Sequence, residues 1–423
     1  MSSSSTEAPV PPIATTTAGL RGAHWKAERM PEGVSTSVHS LTTDDGVKVT
    51  GYLFRRGGER TVICGMHPRE MLVTQYIVPE VLRAGCAMWV MAGRAAGNDM
   101  RLEHESAVMD LGAGQRFLEG CGYKTRVLLG ISGGGPLAAY YIQQAGCAPE
   151  ERMKMSPAGR PTKLGSAKLP SPDGLVLVSS HLGQGHLMLN SIDPSVVDEL
   201  DAFSIDESLS AFSERNGFRR PPQSSSYSPD FVAAYRAAQR LRMERIDVYA
   251  KAVVARRAEA RSRLKAKPTR KDAIEAAHTP IFNVWRTDAD LRCYDLRLDP
   301  SDRAYGSIWG ANPIVSNYGS AGFARVCTAE SWLSNWSCFS SNATMEKCAR
   351  SITQPTLVIE FTGDNGVFPE DAARLFSMIG TSDKERVRIH GNHHGEPIIA
   401  GVADGQLESG RILNEWLRKR SWN

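Results

Sequence analysis

One segment constrains the fold of this chain most strongly, because it joins an apolar run to a helix-like run through a glycine-rich turn. The run Arg126–Gly130 ends in the pattern Gly-x-Ser-x-Gly over residues 130–134, and residues 136–141 are typical of a helix. Glycines on both sides of Ser132 would let a strand turn sharply into a helix and leave the serine hydroxyl exposed. The segment therefore predicts a strand, a tight turn and a helix. Ser132 is the candidate nucleophile, and a purely structural turn is the alternative.

Short apolar or alternating runs recur along the chain, separated by helix-like stretches. There are eight of them, Thr36–Leu41, Val47–Phe54, Thr61–Gly65, Ala87–Met91, Arg126–Gly130, Leu175–Ser179, Thr356–Phe361 and Val387–His390. Several carry Val, Ile and Leu at consecutive positions, as strands of a parallel sheet do when helices cover both faces. The first two runs alternate, which suits an antiparallel edge. The pattern predicts an α/β protein with a mostly parallel, eight-stranded sheet flanked by helices.

The composition argues against several classes of partner. The 423 residues contain 50 Lys and Arg against 46 Asp and Glu, and a net charge of +4 does not predict binding to nucleic acid. No run approaches the roughly 18 apolar residues of a membrane span. Residues 1–22 are rich in Ser, Thr and Pro and lack the apolar stretch of a secretory signal, which predicts a disordered leader. We therefore expect a cytoplasmic protein that binds no membrane.

The cysteines give no sign of a metal site. All eight are scattered, without a Cys-x-x-Cys pair or the histidine spacing of a zinc site. They are predicted to be reduced and mostly buried thiols, as is usual in the cytoplasm. No metal ligand is therefore assigned.

A long segment between the sixth and seventh runs has a different texture and is predicted to be an insertion. Apolar residues fall near helical spacing between many charges at Phe231, Tyr235, Ala238, Leu241, Ile246, Tyr249 and Val253. This spacing predicts a long amphipathic helix, whose stripe packs either on the core or on a second copy in a homodimer. The basic run that follows, residues 256–271, is interpreted as a solvated helix face. The domain boundaries expected are a leader at 1–22, a core at 23–185 and 351–423, and the insertion at 186–350.

Two further residue types complete a candidate catalytic set. Serine is a weak nucleophile near neutral pH, so Ser132 needs a base, and the base needs a carboxylate to orient it. Asp364 follows the seventh run, and the adjacent His393 and His394 follow the eighth. Because the carboxyl ends of parallel strands meet at one edge of the sheet, these residues are expected to lie near Ser132.

This order of serine, acid and histidine, each after a parallel strand, resembles the α/β-hydrolase family. In that family the acid follows strand seven and the histidine follows strand eight. The resemblance covers about Val34 to Gly185 and Gln354 to Trp416. It implies the α/β-hydrolase fold, with the large, mainly helical insertion after strand six acting as a lid over the active site.

The third run ends in residues 66–70, Met-His-Pro-Arg-Glu, which resemble the His-Gly-x turn that gives the family its first oxyanion donor. Pro68 replaces the glycine of this turn and has no N–H to donate. The resemblance then implies the backbone N–H of Arg69 as the first donor and that of Gly133 as the second. The Arg69 side chain has two open roles, contact with a substrate carboxylate or a salt bridge to a nearby acid.

Three residues are alternates within this set. Neighbouring residues of an extended segment point to opposite sides, so only one of His393 and His394 should reach Ser132. His393 is preferred, because loops of this family often place an aromatic residue after the histidine. Glu360 is a second carboxylate near Asp364 but lies inside a strand run, which favours a structural role. His67 is a further histidine at the predicted site.

The resemblance implies a serine hydrolase that cleaves a carboxylic ester or lactone of a small molecule through an acyl-enzyme on Ser132. His393 would be the base and Asp364 its orienting acid, with no metal and no organic cofactor. The aromatic residues of the insertion suggest an aromatic or bulky acyl group. The alternatives are amide, thioester or carbon–carbon bond cleavage or acyl transfer by the same triad, and a ligand-binding protein without catalysis.

Overall fold

An eight-stranded sheet runs through the molecule, seen in a computed structural model that describes residues 24–423. The predicted leader lies outside the described residues. The strands of the large sheet are β1 (Ser35–Thr42), β2 (Lys48–Arg55), β3 (Thr61–His67), β4 (Ala87–Ala92), β5 (Thr125–Ile131), β6 (Gly174–Val178), β9 (Thr356–Phe361) and β10 (Lys384–Ile389). Their order across the sheet is β1-β2-β4-β3-β5-β6-β9-β10. A separate pair, β7 (Ile281–Phe282) and β8 (Cys327–Thr328), is antiparallel.

The strand directions confirm the mostly parallel sheet expected from the sequence. Strand β2 is antiparallel to both of its neighbours, β1 and β4, and the other pairings of the large sheet are parallel. Each of the eight predicted runs overlaps one strand. The alternating runs became the antiparallel edge, where one face is more open to solvent.

Helices connect the strands. They are α1 (Ile77–Arg83), α2 (His104–Gly120), α3 (Gly134–Gly146), α4 (Gln184–Ser191), α5 (Pro229–Ala266), α6 (Arg270–Ala277), α7 (Pro313–Tyr318), α8 (Ala329–Ser331), α9 (Met345–Cys348), α10 (Pro369–Met378) and α11 (Gly405–Lys419). A π-helical turn, Trp332–Trp336, follows α8. Short 3-10 helices lie at Ala27–Arg29, Asp99–Arg101, Pro149–Glu151, Leu164–Ser166, Glu207–Leu209, Glu214–Asn216, Leu291–Cys293 and Ala349–Ser351.

Two apolar clusters cover the two faces of the sheet. Within β3, Val62 and Cys64 belong to one cluster, together with Leu137 of α3. Ile63 belongs to the other, together with Leu413 of α11. Successive residues of a strand point to opposite faces, so a strand covered on both sides must be apolar at consecutive positions. This is why β3 and β9 are buried along their whole length.

The chain between β6 and β9, residues 179–355, forms a mainly helical insertion with its own apolar core. The 38-residue helix α5 crosses it and buries Tyr235, Ile246 and Val253 against neighbouring elements of the insertion. Leu241 and Tyr249, placed on the apolar stripe by the sequence pattern, are instead 64% and 47% exposed. At about 100° per residue, Leu241 lies roughly 140° around the helix from the buried Ile246 and Tyr249 roughly 60° from it, so neither belongs fully to the packed face. The exact domain boundaries stay predictions.

Candidate active site

The turn that carries Ser132 joins β5 to α3. Ser132 has a φ of 50°, a conformation that residues with side chains rarely adopt, and its N–H donates to the Val178 carbonyl oxygen at 3.0 Å. A Cβ atom at Gly130 would lie 2.5 Å from the Cα of Gly135, and one at Gly135 would lie 1.7 Å from Ser180 Oγ. The chain therefore needs glycine at both positions to pass through so tight a turn.

The acid and the histidine come from the loops after β9 and β10. Asp364 is 1% exposed, and its Oδ1 accepts the N–H groups of Gly366 at 2.7 Å and Val367 at 2.9 Å. The Nδ1 of His393 lies 2.9 Å from both oxygens of the same carboxylate. These bonds hold the imidazole in one orientation. With the Nδ1 proton donated to Asp364, the Nε2 atom of a neutral ring is left as the proton acceptor.

The electrostatics of this pair favour a basic imidazole. Burial by itself lowers the pKa of His393, but the charge of Asp364 and the hydrogen bond to it outweigh burial and raise that pKa above its ordinary value. The neighbouring His394 shows the opposite result, since burial and the charge of His393 lower its pKa to about 4.

The side chains of these residues meet in one small cavity. Its free volume is about 50 Å³, room for a few water molecules. Besides Ser132 and His393, its walls are formed by His67, Arg69, Glu70, Leu72, Gln75, Ile131, His181, Gln184, Leu187, Ile308, Phe323, Gly366 and His394. Five of these residues, His181, Gln184, Leu187, Ile308 and Phe323, belong to the chain between β6 and β9.

The structure separates the alternates from the pair just described. Of the two adjacent histidines, His393 is the one hydrogen-bonded to Asp364. His394 packs against the His393 ring edge to face, with ring centroids 5.1 Å apart. Glu360 points away to the neighbouring strand and binds Arg386 at 2.8 Å and Arg388 at 3.0 Å. Its carboxylate is therefore occupied in a β9–β10 ion-pair cluster.

The loop after β3 differs from its sequence-based interpretation. The backbone N–H of Arg69, the predicted first oxyanion donor, is donated to His67 Nδ1 at 3.2 Å, and the N–H of Glu70 reaches the same atom at 3.1 Å. The Arg69 side chain forms a two-point salt bridge to Asp99, at 2.9 and 2.8 Å, and lies 4.9 Å from the ring centroid of Trp336. The salt bridge, one of its two open roles, is the one seen here.

Gly133 immediately precedes α3, at a helix start whose first N–H groups lack partners within the helix. That is the place expected for an oxyanion donor. The structure adds Gln184, which the sequence analysis missed. Gln184 is the first residue of α4 and is 2% exposed, and the only sequence signal for it is its position shortly after the sixth strand.

A second buried histidine also lies at this edge. His181 Nδ1 accepts the N–H of Gly183 at 3.1 Å, and burial together with the charge of His67 lowers the pKa of His181 to about 3. The ring therefore stays neutral and cannot replace His393 as the group that takes up a proton near neutral pH.

Strand order, an antiparallel second strand and a serine turn after the fifth strand of the sheet together define the α/β-hydrolase fold, as the resemblance implied. Similar solved structures include the α/β hydrolase GrgF from Penicillium sp. sh18, at 13% identity and a TM-score of 0.48 over 91% of this chain and 98% of that one. The esterase domain of a Rhodothermus marinus protein is 12% identical, with a TM-score of 0.41 over 91% and 98%. The Pyrococcus furiosus esterase Pf2001 is 12% identical, with a TM-score of 0.43 over 91% of both chains. No protein-family model and no curated protein matches the sequence.

Other features of the described residues bear on the remaining expectations. All eight cysteines are unpaired, and five of them are buried. Within residues 24–423 no group of three or more His, Cys, Asp or Glu side chains is placed to hold a metal ion. Over the same range, none of the helices has the length and apolar character needed to cross a bilayer. The cytoplasmic location stays a prediction.

Proposed function

We propose that this protein is a serine hydrolase that cleaves a carboxylic ester or lactone of a small molecule through an acyl-enzyme on Ser132. One observation carries the proposal: the buried Asp364–His393 pair and the strained Ser132 turn open into the same cavity. An acid aligned with a histidine of raised pKa, and a serine that lines the same cavity, are what acyl transfer by a serine requires.

The reaction follows from the roles of these atoms. His393 Nε2 takes the Ser132 hydroxyl proton while Oγ attacks the carbonyl carbon, and the carbonyl oxygen becomes an oxyanion. The intermediate then collapses, the bond to the leaving oxygen breaks, and the imidazolium returns its proton to the leaving alcohol. Water attacks the acyl-enzyme by the same route and releases the acid. Asp364 remains ionised and stabilises the imidazolium throughout.

The insertion is the candidate for the lid, because it supplies five of the residues that line the cavity. A cavity of about 50 Å³ is far smaller than the 300–1,000 Å³ typical of sites for larger ligands. A small acyl group fits it with little movement, whereas an aromatic or bulky group needs the insertion to shift. The expectation of a bulky acyl group, like that of a homodimer and of no nucleic-acid or membrane partner, stays a prediction.

The first test compares the natural chain with Ser132→Ala on nitrophenyl esters of graded acyl length, with aryl esters and lactones alongside. We expect kcat/KM to fall by about 10⁴-fold or more in the variant, because the nucleophile is lost while the fold is kept. Mass spectrometry after treatment with a fluorophosphonate should place the added mass on Ser132 alone. Circular dichroism of both proteins is the control for folding.

Two results would contradict the proposal. Equal activity in the two proteins would show that Ser132 is not the nucleophile. No turnover and no labelling of the natural chain across the panel would instead favour a ligand-binding protein without catalysis.

A further inference from the structure

We propose that the side chain of His67 is itself an oxyanion donor, with its Nε2–H group binding the oxygen of the tetrahedral intermediate beside the backbone N–H of Gly133. This inference rests on the proposed function and adds a residue to it. In the family the sequence resembles, the loop after the third strand contributes a backbone N–H, and here a side chain takes that place.

The backbone of the loop after β3 offers no free N–H group at residues 68–70. Pro68 has none, and the N–H groups of Arg69 and Glu70 are both donated to His67 Nδ1, at 3.2 and 3.1 Å. An N–H that already points at a ring nitrogen is poorly directed towards a second acceptor. The donor from this side of the site must therefore be another group.

The same two bonds determine the tautomer of the ring. A nitrogen that accepts two N–H groups carries no proton, so a neutral His67 has its proton on Nε2. Burial, aided by the charge of Arg69, lowers the pKa of His67 to about 3, so the ring is neutral at any pH at which His393 could act as a base. A neutral imidazole held in this way can polarise a carbonyl oxygen without itself titrating.

The Nε2 atom also lies where an oxyanion donor is needed. It is 3.0 Å from the position that a Cβ on Gly133 would occupy. Standard bond lengths then put it within about 6 Å of the Gly133 nitrogen. Two donors that each lie about 2.7–3.1 Å from one oxygen can be that far apart. The Gln184 amide is 2.9 Å from the same Cβ position, so polar groups converge on this side of the turn.

His67 therefore contacts both the loop after β3 and the cavity. Its Nδ1 accepts the two loop N–H groups, which hold the ring in place, and the residue lines the cavity that contains Ser132. The ring is fixed before substrate arrives, which is the condition under which a donor stabilises a transition state without reorganising.

The test uses two variants that divide these functions. The amide oxygen of His67→Asn can replace Nδ1 as acceptor but leaves no donor at the Nε2 position. The amide of His67→Gln can place an N–H near Nε2. On nitrophenyl acetate we expect kcat of His67→Asn to fall by about 100- to 1,000-fold with KM little changed, and His67→Gln to retain at least about 10-fold more activity than His67→Asn.

A role limited to supporting the loop predicts the reverse order, with His67→Asn the more active variant. That order, or a natural level of kcat in His67→Asn, would overturn the inference while leaving Ser132-dependent activity intact. Failure of the proposed function looks different, because the natural chain itself would then show no Ser132-dependent turnover, and the inference would fall with it.

A second measurement needs no turnover. Nitrogen-15 NMR of the natural chain with labelled histidines should show a ring with a protonated Nε2 and a bare Nδ1 that does not change over the pH range of the assay. The signal is assigned to His67 by its absence in whichever His67 variant folds, or by its coupling to neighbouring labelled amides. A protonated Nδ1, or a ring that titrates in that range, would contradict the proposed donor.

Discussion

At the scale of single residues, one carboxylate distinguishes one histidine from three others. His67 and His181 are brought to pKa values of about 3 and His394 to about 4, mainly by burial. Burial acts on His393 in the same direction, yet the charge of Asp364 raises its pKa instead. Of the four imidazoles that line the cavity, His393 is therefore the one able to cycle its proton near neutral pH.

The pH dependence of kcat/KM tests this difference. The base must be unprotonated, so the profile has a rising limb, with activity lost as pH falls through the pKa of His393, which lies above that of an ordinary histidine. In Asp364→Asn burial acts unopposed, so the limb should move to lower pH while the plateau falls by about 10⁴-fold. A limb that stays in place, or one that moves to higher pH, would show that Asp364 does not control the base.

At the scale of secondary structure, the parallel neighbours β9 and β10 carry the acid and the histidine on their two following loops. Their register places Glu360 opposite Arg388, and the Glu360 carboxylate also binds Arg386. Glu360 is 4% exposed, so its charge is compensated mainly by these two arginines. This cluster helps keep the two strands, and hence Asp364 and His393, in register.

We expect Glu360→Gln to lower the free energy of unfolding by about 1.5–3 kcal/mol, because hydrogen bonds to a charged group are lost in a buried place. Thermal unfolding followed by circular dichroism measures the loss. The pH at which kcat/KM rises should be the same as in the natural chain, whereas in Asp364→Asn it should be lower. A shifted limb would assign Glu360 a part in setting the base, the alternative left open by the sequence.

At the scale of the whole molecule, the insertion and the sheet edge together decide how much room the reacting groups have. Arg69 forms part of the wall, held by Asp99 and lying against Trp336 and Phe323. A second cavity of about 590 Å³, more open to solvent, also has Arg69 in its wall. The Arg69 side chain therefore borders both the small cavity and the larger one.

The acyl-length profile tests the closed cavity directly. If the cavity stays closed, nitrophenyl acetate should give the highest kcat/KM of the natural chain, with a decline as the acyl chain grows. The bulky acyl group suggested by the sequence predicts the reverse order. Phe323→Ala removes an aromatic wall and should raise the ratio of hexanoate to acetate activity by about 10-fold.

Phe339→Ala is the matched control, since Phe339 lies in the insertion but outside the cavity wall, against Arg240. It should leave the profile unchanged. Thermal unfolding of both variants separates a wider cavity from a weakened fold, because loss of the buried Phe323 side chain costs about 3–5 kcal/mol. A natural chain that prefers long or aryl esters would show that the insertion opens readily in solution.

Local patterns were enough to predict the sheet and the candidate pair. Consecutive apolar residues in β3 and β9 reflect burial on both faces, and the glycines around Ser132 reflect backbone contacts too close for a Cβ. Both causes act within a few residues, so the sequence reports them. Leu241 was misplaced because an apolar residue three positions after Ala238 fits helical spacing, whereas which face of α5 is covered depends on what packs alongside.

By itself the sequence determined the α/β class, the positions of the eight strands along the chain, and the placement of Ser132, Asp364 and His393 after three of them. Only the tertiary structure decided which N–H groups of the loop after β3 are free. The N–H groups of Arg69 and Glu70 donate to His67 Nδ1, and this contact depends on the orientation of the ring, which sequence spacing does not determine. The tertiary structure also decided the size of the cavity, since walls from residues far apart in the chain must meet before any volume exists.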